Sequence, residues 1–186
     1  MPGVAVHLSV AKRYIEKHKN EIMNVRDFYD GNILPDMQGD KEDTHYGSRK
    51  SNDLITKFRE KIDIKKFLEK NTLDNDINRG KYLHLVTDWE YYNNFLPLDY
   101  LKTVSSFEYS KDITFTSSSL DNFLIDRYKL TTDMISVWDE LLKLLEKWEQ
   151  EEIEKYGQSP PDGRMIYSEQ EIVDFIERIS NTNIPG

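Results

Sequence analysis

The stretch Tyr82-Leu83-His84-Leu85-Val86-Thr87-Asp88-Trp89 sets an imidazole and a carboxylate four residues apart in an almost wholly apolar run. Such a run predicts a buried helix, and the i,i+4 spacing puts both side chains on one face. A histidine and an acid facing a core have to be hydrogen-bonded, paired or bound to a cation, because burying them unsatisfied is costly. The helix is expected from about Asp76 to Phe95 and is ended by Pro97. Gly80 within it costs helix stability, which points to a close approach of another backbone.

Working outward, Val4 to about Lys17 reads as helix, with Val4, His7, Leu8, Ala11, Tyr14 and Ile15 at helical spacing. His7 falls on the inward stripe, whereas His18 among Lys17, Lys19 and Asn20 reads as solvated. A short helix from Asn24 to Asp30 is expected to stop at Gly31. The Gly-, Asp- and Ser-rich segment 32–50 then reads as loop and carries Asp36 and His45. Ser51 is a candidate cap for a helix through Ile62, and Asp63 for one through Lys70. Residues 98–104 form a further short helix, the Asp112-Ile-Thr-Phe-Thr stretch reads as extended, and helix returns over 118–128. The next helix runs from Thr132 to about Tyr156, with Met134, Val137, Trp138, Leu141, Leu144, Leu145 and Trp148 on one stripe. After a loop at Pro160-Pro161, Ser168 and Glu171 have capping-box spacing for a last helix whose Ile172, Phe175, Ile176 and Ile179 face inward. The expectation is an all-α, single-domain bundle of about six to eight helices over residues 1–186.

The 186 residues allow one proper core. No cysteine is present, which excludes disulfides and thiolate chemistry and leaves imidazole and carboxylate as the strong metal ligands. Residues 1–90 carry 16 basic and 16 acidic side chains, and residues 91–186 carry 9 and 18, so the whole net charge of -9 lies in an acidic second half. That half argues against nucleic acid as a partner. All four histidines fall in residues 1–90, so metal chemistry belongs to 1–95 and the acidic helical half is 96–186. No run is long and apolar enough to cross a bilayer and no export signal is evident, so no integral membrane association and a cytoplasmic location are expected.

Taken singly, each candidate ligand has an ordinary structural reading: a core histidine is usually hydrogen-bonded, and an Asp after Leu34-Pro35 usually bonds its own turn. Together, His7, Asp36, His45, His84 and Asp88 suggest a mono- or dinuclear site among facing helices. A nitrogen and carboxylate donor set suits zinc, and also manganese, iron or nickel.

Four segments in order, Val6-His7-Leu8-Ser9-Val10-Ala11, Phe28-Tyr29-Asp30-Gly31-Asn32-Ile33-Leu34-Pro35-Asp36, Thr44-His45-Tyr46 and Gly80-Lys81-Tyr82-Leu83-His84-Leu85-Val86-Thr87-Asp88-Trp89, resemble the zinc-dependent phospholipase C family. That family is all-α and related in fold to the S1/P1-type nucleases. The resemblance covers about residues 1–95. It implies that Asp36, His45, His84 and Asp88 hold one zinc, and that His7 holds a second with Asp88 shared. No histidine follows His84, so the family's third-zinc ligands have no counterpart and the implied site is a reduced one.

The implied activity is a metal-dependent, phosphoesterase-like hydrolysis by a metal-activated water, with Asp36 a ligand that also orients or deprotonates that water. Arg79, Lys81 and Tyr46 are the nearest candidates to contact a small phosphoester substrate, although surface solvation is the preferred reading of the two cations, and Trp89, Tyr91 and Tyr92 read as core. The alternative is a non-catalytic helical binding module with a structural or vestigial metal, its acidic helix serving as contact surface.

Overall fold

The computed structural model describes residues 2–48, 50–51 and 53–185. Ten α-helices run through them in the order α1 (Val4–Lys17), α2 (Val25–Met37), α3 (Lys41–His45), α4 (Leu54–Glu60), α5 (Ile64–Lys70), α6 (Asp76–Glu90), α7 (Leu98–Thr103), α8 (Ser106–Tyr128), α9 (Trp138–Tyr156) and α10 (Glu169–Ile179). A π-helical turn, Tyr91–Phe95, extends α6, and a 3-10 turn, Thr132–Met134, precedes α9. The described residues form no strand beyond an isolated bridge between Tyr46 and Ile62. The protein is therefore all-α, with more helices than the six to eight expected. No helix among the described residues is long and apolar enough to cross a membrane.

The most extensive helix contact joins α2 to α6, and α1 lies across both while also meeting α8 and α10. Buried apolar side chains from Ala5 to Ile184 form one continuous cluster, with Tyr14, Tyr91, Phe28, Phe67 and Phe175 its largest fully buried members. Gly80 makes the close approach expected of it. A Cβ there would lie 2.2 Å from the Phe28 carbonyl oxygen.

Gly31 does not stop α2, which continues to Met37. A Cβ at Gly31 would lie 2.1 Å from the Ile77 carbonyl oxygen, so this glycine is the other half of the α2–α6 crossing. The extra turns carry Asp36 on a helix, where a loop had been expected. Within the same segment Asp40 accepts from the Glu42 N–H at 2.8 Å and starts α3, whose last residue is His45.

Other boundaries move for similar reasons. Asp53, not Ser51, caps α4 by accepting from the Thr56 N–H at 2.8 Å. Asn52, inside the helix expected from Ser51, lies outside the described residues. The stretch expected to be extended at 112–116 is helical, part of α8, which opens on a capping box of Ser105 and Glu108. The Thr116 hydroxyl donates to the Asp112 carbonyl at 2.8 Å, while the Asp112 carboxylate accepts from the Arg164 N–H and the Tyr100 hydroxyl, each at 2.8 Å. These tertiary bonds outweigh the β preference of Ile113, Thr114 and Thr116. The helix expected from Thr132 begins only at Trp138, since Ser136 leaves helical geometry to donate its N–H to Asp30 at 2.7 Å. The last helix is as expected, with its Ser168–Glu171 capping box and four inward apolar residues.

Candidate metal centre

Four segments deliver five side chains to one point. His7 comes from the first turns of α1, Asp36 from the end of α2, His45 from the end of α3, and His84 and Asp88 from successive turns of α6. His7, His45, His84 and Asp88 are fully buried and Asp36 nearly so. His84 Nε2 lies 3.2 Å from His45 Nε2, 3.8 Å from Asp88 Oδ2 and 3.9 Å from Asp36 Oδ1. His45 Nε2 lies 3.2 Å from Asp88 Oδ2 and 3.7 Å from Asp36 Oδ1. His7 Nε2 lies 3.4 Å from Asp88 Oδ1 and 3.9 Å from Asp36 Oδ2, its ring stacked on His84 at 4.0 Å.

The tautomer of His84 follows from its surroundings. Its Nδ1 sits 2.8 Å from the Asn32 carbonyl, which can only accept, so Nδ1 carries the proton. Burial and the neighbouring His7 push His84 down to about 3, so the ring is neutral at pH 7 and Nε2 presents a lone pair to the cluster. That lone pair faces two carboxylates and another imidazole nitrogen.

Neither Asp88 oxygen and neither His7 nitrogen has a hydrogen-bond partner, because the short distances between them lack the alignment of a bond. Burial would raise the Asp88 carboxyl, and the facing imidazoles of His45 and His7 outweigh it and hold it well below the usual range. Burial likewise opposes ionisation of Asp36, but His84 and Lys41 bring its carboxyl down to about 2. Two carboxylates are thus buried beside a single ammonium, and the group could hold a cation.

The distances fit an ion as well. Donors bound at about 2.0–2.1 Å around a tetrahedral zinc are roughly 3.3 Å apart. The contacts here span 3.2 to 3.9 Å, close to the edges of such a polyhedron, and one of the shortest, His84 Nε2 to His45 Nε2, is also a hydrogen bond. Two overlapping ligand groups result: His7, Asp36 and His84, and His45, His84 and Asp88. Asp36 alone of the five lines the cleft described below, so it marks the edge open to solvent.

Two supporting residues carried no sequence signal that reasoning had used. Asn32, read as loop, is fully buried on α2. With its amide turned so that nitrogen meets carbonyl, it donates to the His7 carbonyl at 2.8 Å and accepts from the His84 N–H at 3.3 Å, tying α1 to α6. Lys41 Nζ reaches Asp36 Oδ1 at 2.5 Å and its carbonyl at 2.9 Å. It thereby holds the carboxylate and one of the carbonyls left open at the end of α2. An uninterrupted α2 would have placed Asn32, which reading Gly31 as a stop concealed, while Lys41 opens α3 inside the segment read as loop.

The expected phosphate contacts lie elsewhere. Lys81 and Tyr46 border a separate small cleft, and Arg79 donates to the Glu21 carbonyl. Tyr91 and Tyr92 are core, the Tyr91 hydroxyl donating to Tyr167 at 3.1 Å and Tyr92 receiving Lys61 Nζ at 2.5 Å. His18 is not simply solvated: its ring stacks on Tyr14 at 4.2 Å and its Nδ1 lies 3.0 Å from Glu21. No protein-family model matches the chain, and no match was found among curated proteins or solved structures.

Proposed function

We propose that the protein is a divalent-metal hydrolase that cleaves phosphoester bonds with a water activated at the Asp36 edge of the cluster. The observation that carries the reading is the His84 lone pair, locked toward two carboxylates by the Nδ1–H bond to the Asn32 carbonyl. Such an outer bond fixes ring orientation in histidines that bind metals. His7, Asp36, His45, His84 and Asp88 would hold the metal, zinc by donor chemistry, with manganese, iron or nickel also accommodated. When bound, it would supply Lewis acidity and lower the pKa of a coordinated water.

The chain's own part is orientation and proton handling. Asp36, bordering the cleft and anchored by Lys41, would accept a proton from water entering there. The four buried ligands exclude solvent from the other side. The ordered resemblance of residues 1–95 to the zinc-dependent phospholipase C family favours phosphoester over other hydrolysis, with a reduced metal set.

A second reading keeps the metal as a structural clamp in a binding module. It is favoured by the near-complete burial of the cluster, since catalytic sites keep an open position and structural ones are closed. Metal analysis of protein purified without chelator, followed by a screen of soluble phosphodiesters and phosphomonoesters with and without chelator, separates the two. We expect one or two equivalents of metal and chelator-sensitive turnover. Metal without turnover on any ester establishes the structural reading, and absence of bound metal overturns both.

A further inference from the structure

A cleft of about 550 Å³ lies between the first turn of α1, the middle of α8 and the inner face of α9. Its walls are apolar, with Val4, Leu8, Ile113 and Ile125 on one side and Leu145, Trp138 and Trp148 on the other. Among the described residues, every ionisable side chain lining it is an acid: Asp36, Asp121, Glu149 and Glu152. Asp36 is already held by Lys41, and Glu152 accepts from the Ser159 hydroxyl at 2.7 Å. The buried Asp121 Oδ1 has no hydrogen-bond partner.

Helix α9 bridges this cleft more than it packs into the bundle. Of its nineteen residues only Leu141 is buried, and its far end is fastened by the Tyr156 hydroxyl to Ser110 at 2.7 Å. Leu144, Leu145 and Trp148 are left half-buried along its inner stripe. A volume of this size is in the range of small-molecule sites.

We propose that the cleft binds an apolar organic cation, an alkyl- or arylamine whose ammonium lies beside Asp121 and Glu149 and whose hydrocarbon body packs between α8 and α9. Charge complementarity selects the sign. Among the described lining residues an anion would meet four acids and no base, whereas an ammonium meets only carboxylates, with Asp121 unpartnered at Oδ1, beside two tryptophans. The apolar walls select a hydrocarbon body over a hydrated inorganic cation. The inference rests on the cleft lining, which shares Asp36 and no other candidate ligand with the metal reading.

The 186-residue protein is titrated at pH 7 with n-octylamine, 1-octanol and sodium octanoate, each below its aggregation threshold, and tryptophan emission is followed. Octylamine is expected to saturate with at least tenfold higher affinity than octanol, and octanoate to give no saturable change. The double variant E149Q/E152Q, altered on the outer helix, is expected to weaken octylamine at least fivefold while leaving octanol unchanged. The same loss is expected of Asp121→Asn. Replacing Trp138 and Trp148 with Phe should abolish the emission change, because Trp89 does not line the cleft. Equal affinity for octanol or octanoate, no saturation by octylamine, or a full response in the tryptophan double variant would each overturn the proposal.

Discussion

Replacing Gly80 with Ala tests whether the α2–α6 crossing builds the cluster. The added Cβ would sit 2.2 Å from the Phe28 carbonyl oxygen and 2.8 Å from the Asn32 nitrogen, where ordinary contact begins at 3.4 Å. The obstacles are backbone atoms in a helix, so no rotamer relieves them, and the two helices must part by about 1 Å. Overpacking of this kind costs roughly 1–3 kcal/mol, or more where the backbone cannot yield. Ala returns about 1 kcal/mol in helix propensity. A net loss of about 2 kcal/mol is expected, which for a chain of this size lowers Tm by roughly 4–8 °C. The same parting stretches the 2.8 Å bond from His84 Nδ1 to the Asn32 carbonyl. Loss of such an outer bond costs about 10–100-fold in metal affinity.

Thermal and urea unfolding with excess chelator isolates the packing effect from metal linkage, and a competition titration then reads the affinity for zinc. Gly157→Ala is the control. Its φ of +81° penalises a side chain, but no atom lies within 4 Å of the new Cβ and the site is remote from the cluster. It should cost about 1 kcal/mol in backbone strain and leave zinc affinity unchanged. A Gly80→Ala protein as stable as wild type, with undiminished affinity for zinc, would refute the assignment of Gly80 and Gly31 to a tight crossing that orients His84.

His84→Ala should abolish stoichiometric zinc and remove the ligand-induced rise in Tm. His18→Ala should keep full zinc content but lose up to about 1 kcal/mol of stability, because stacking on Tyr14 and the contact with Glu21 disappear; equal metal content in wild type and His84→Ala, by elemental analysis, would count against the site. Burial raises the Asp121 carboxyl from 3.8 to about 6. The folded state thus binds more protons than the unfolded state between those values, and stability falls as pH rises through that window. Asp121→Asn should remove this slope and gain up to about 3 kcal/mol at pH 7, which urea unfolding at pH 4, 6 and 8 would detect; identical pH profiles would show that Asp121 is not buried as described.

The legible part of this protein was what could be read from one helix at a time. The apolar run around His84 and Asp88 and the stripe holding His7 each depend on periodicity within one segment, and each residue lies buried where its stripe points. The α10 capping box and inward face were equally local. What could not be read depended on a second segment arriving. Gly31 satisfies the usual grammar of a helix end, and only the Ile77 carbonyl pressing against it shows why it stands inside α2. The Ile113–Thr116 stretch has strand-forming side chains, and only Tyr100 and Arg164 meeting Asp112 make a helix the better arrangement. The stripe of α9 was visible but its burial was not, since a half-covered apolar face looks the same in sequence as a fully covered one.

The cluster falls between these cases, and the reason bears on its chemistry. Three of its five residues, His7, His84 and Asp88, could be chosen without structure because imidazole and carboxylate are expensive to place among apolar neighbours. The convergence of all five was expected from the ordered set, but their helical placement was not, because Asp36 and His45 were assigned to a loop that proves to be the end of α2 followed by α3. The helical placement also limits their freedom. Each ligand is fixed by a backbone that is itself packed or bonded: Asp36 through Lys41, His45 through the Asp63 N–H on its carbonyl at 3.0 Å, and His84 through Asn32. The two carboxylates, Asp36 and Asp88, held this rigidly cannot relax apart. On the proposed metal reading, part of the energy gained on binding would be relief of repulsion between these groups, and chelation should loosen α3, the shortest of the helices carrying a candidate ligand, before it disturbs α6.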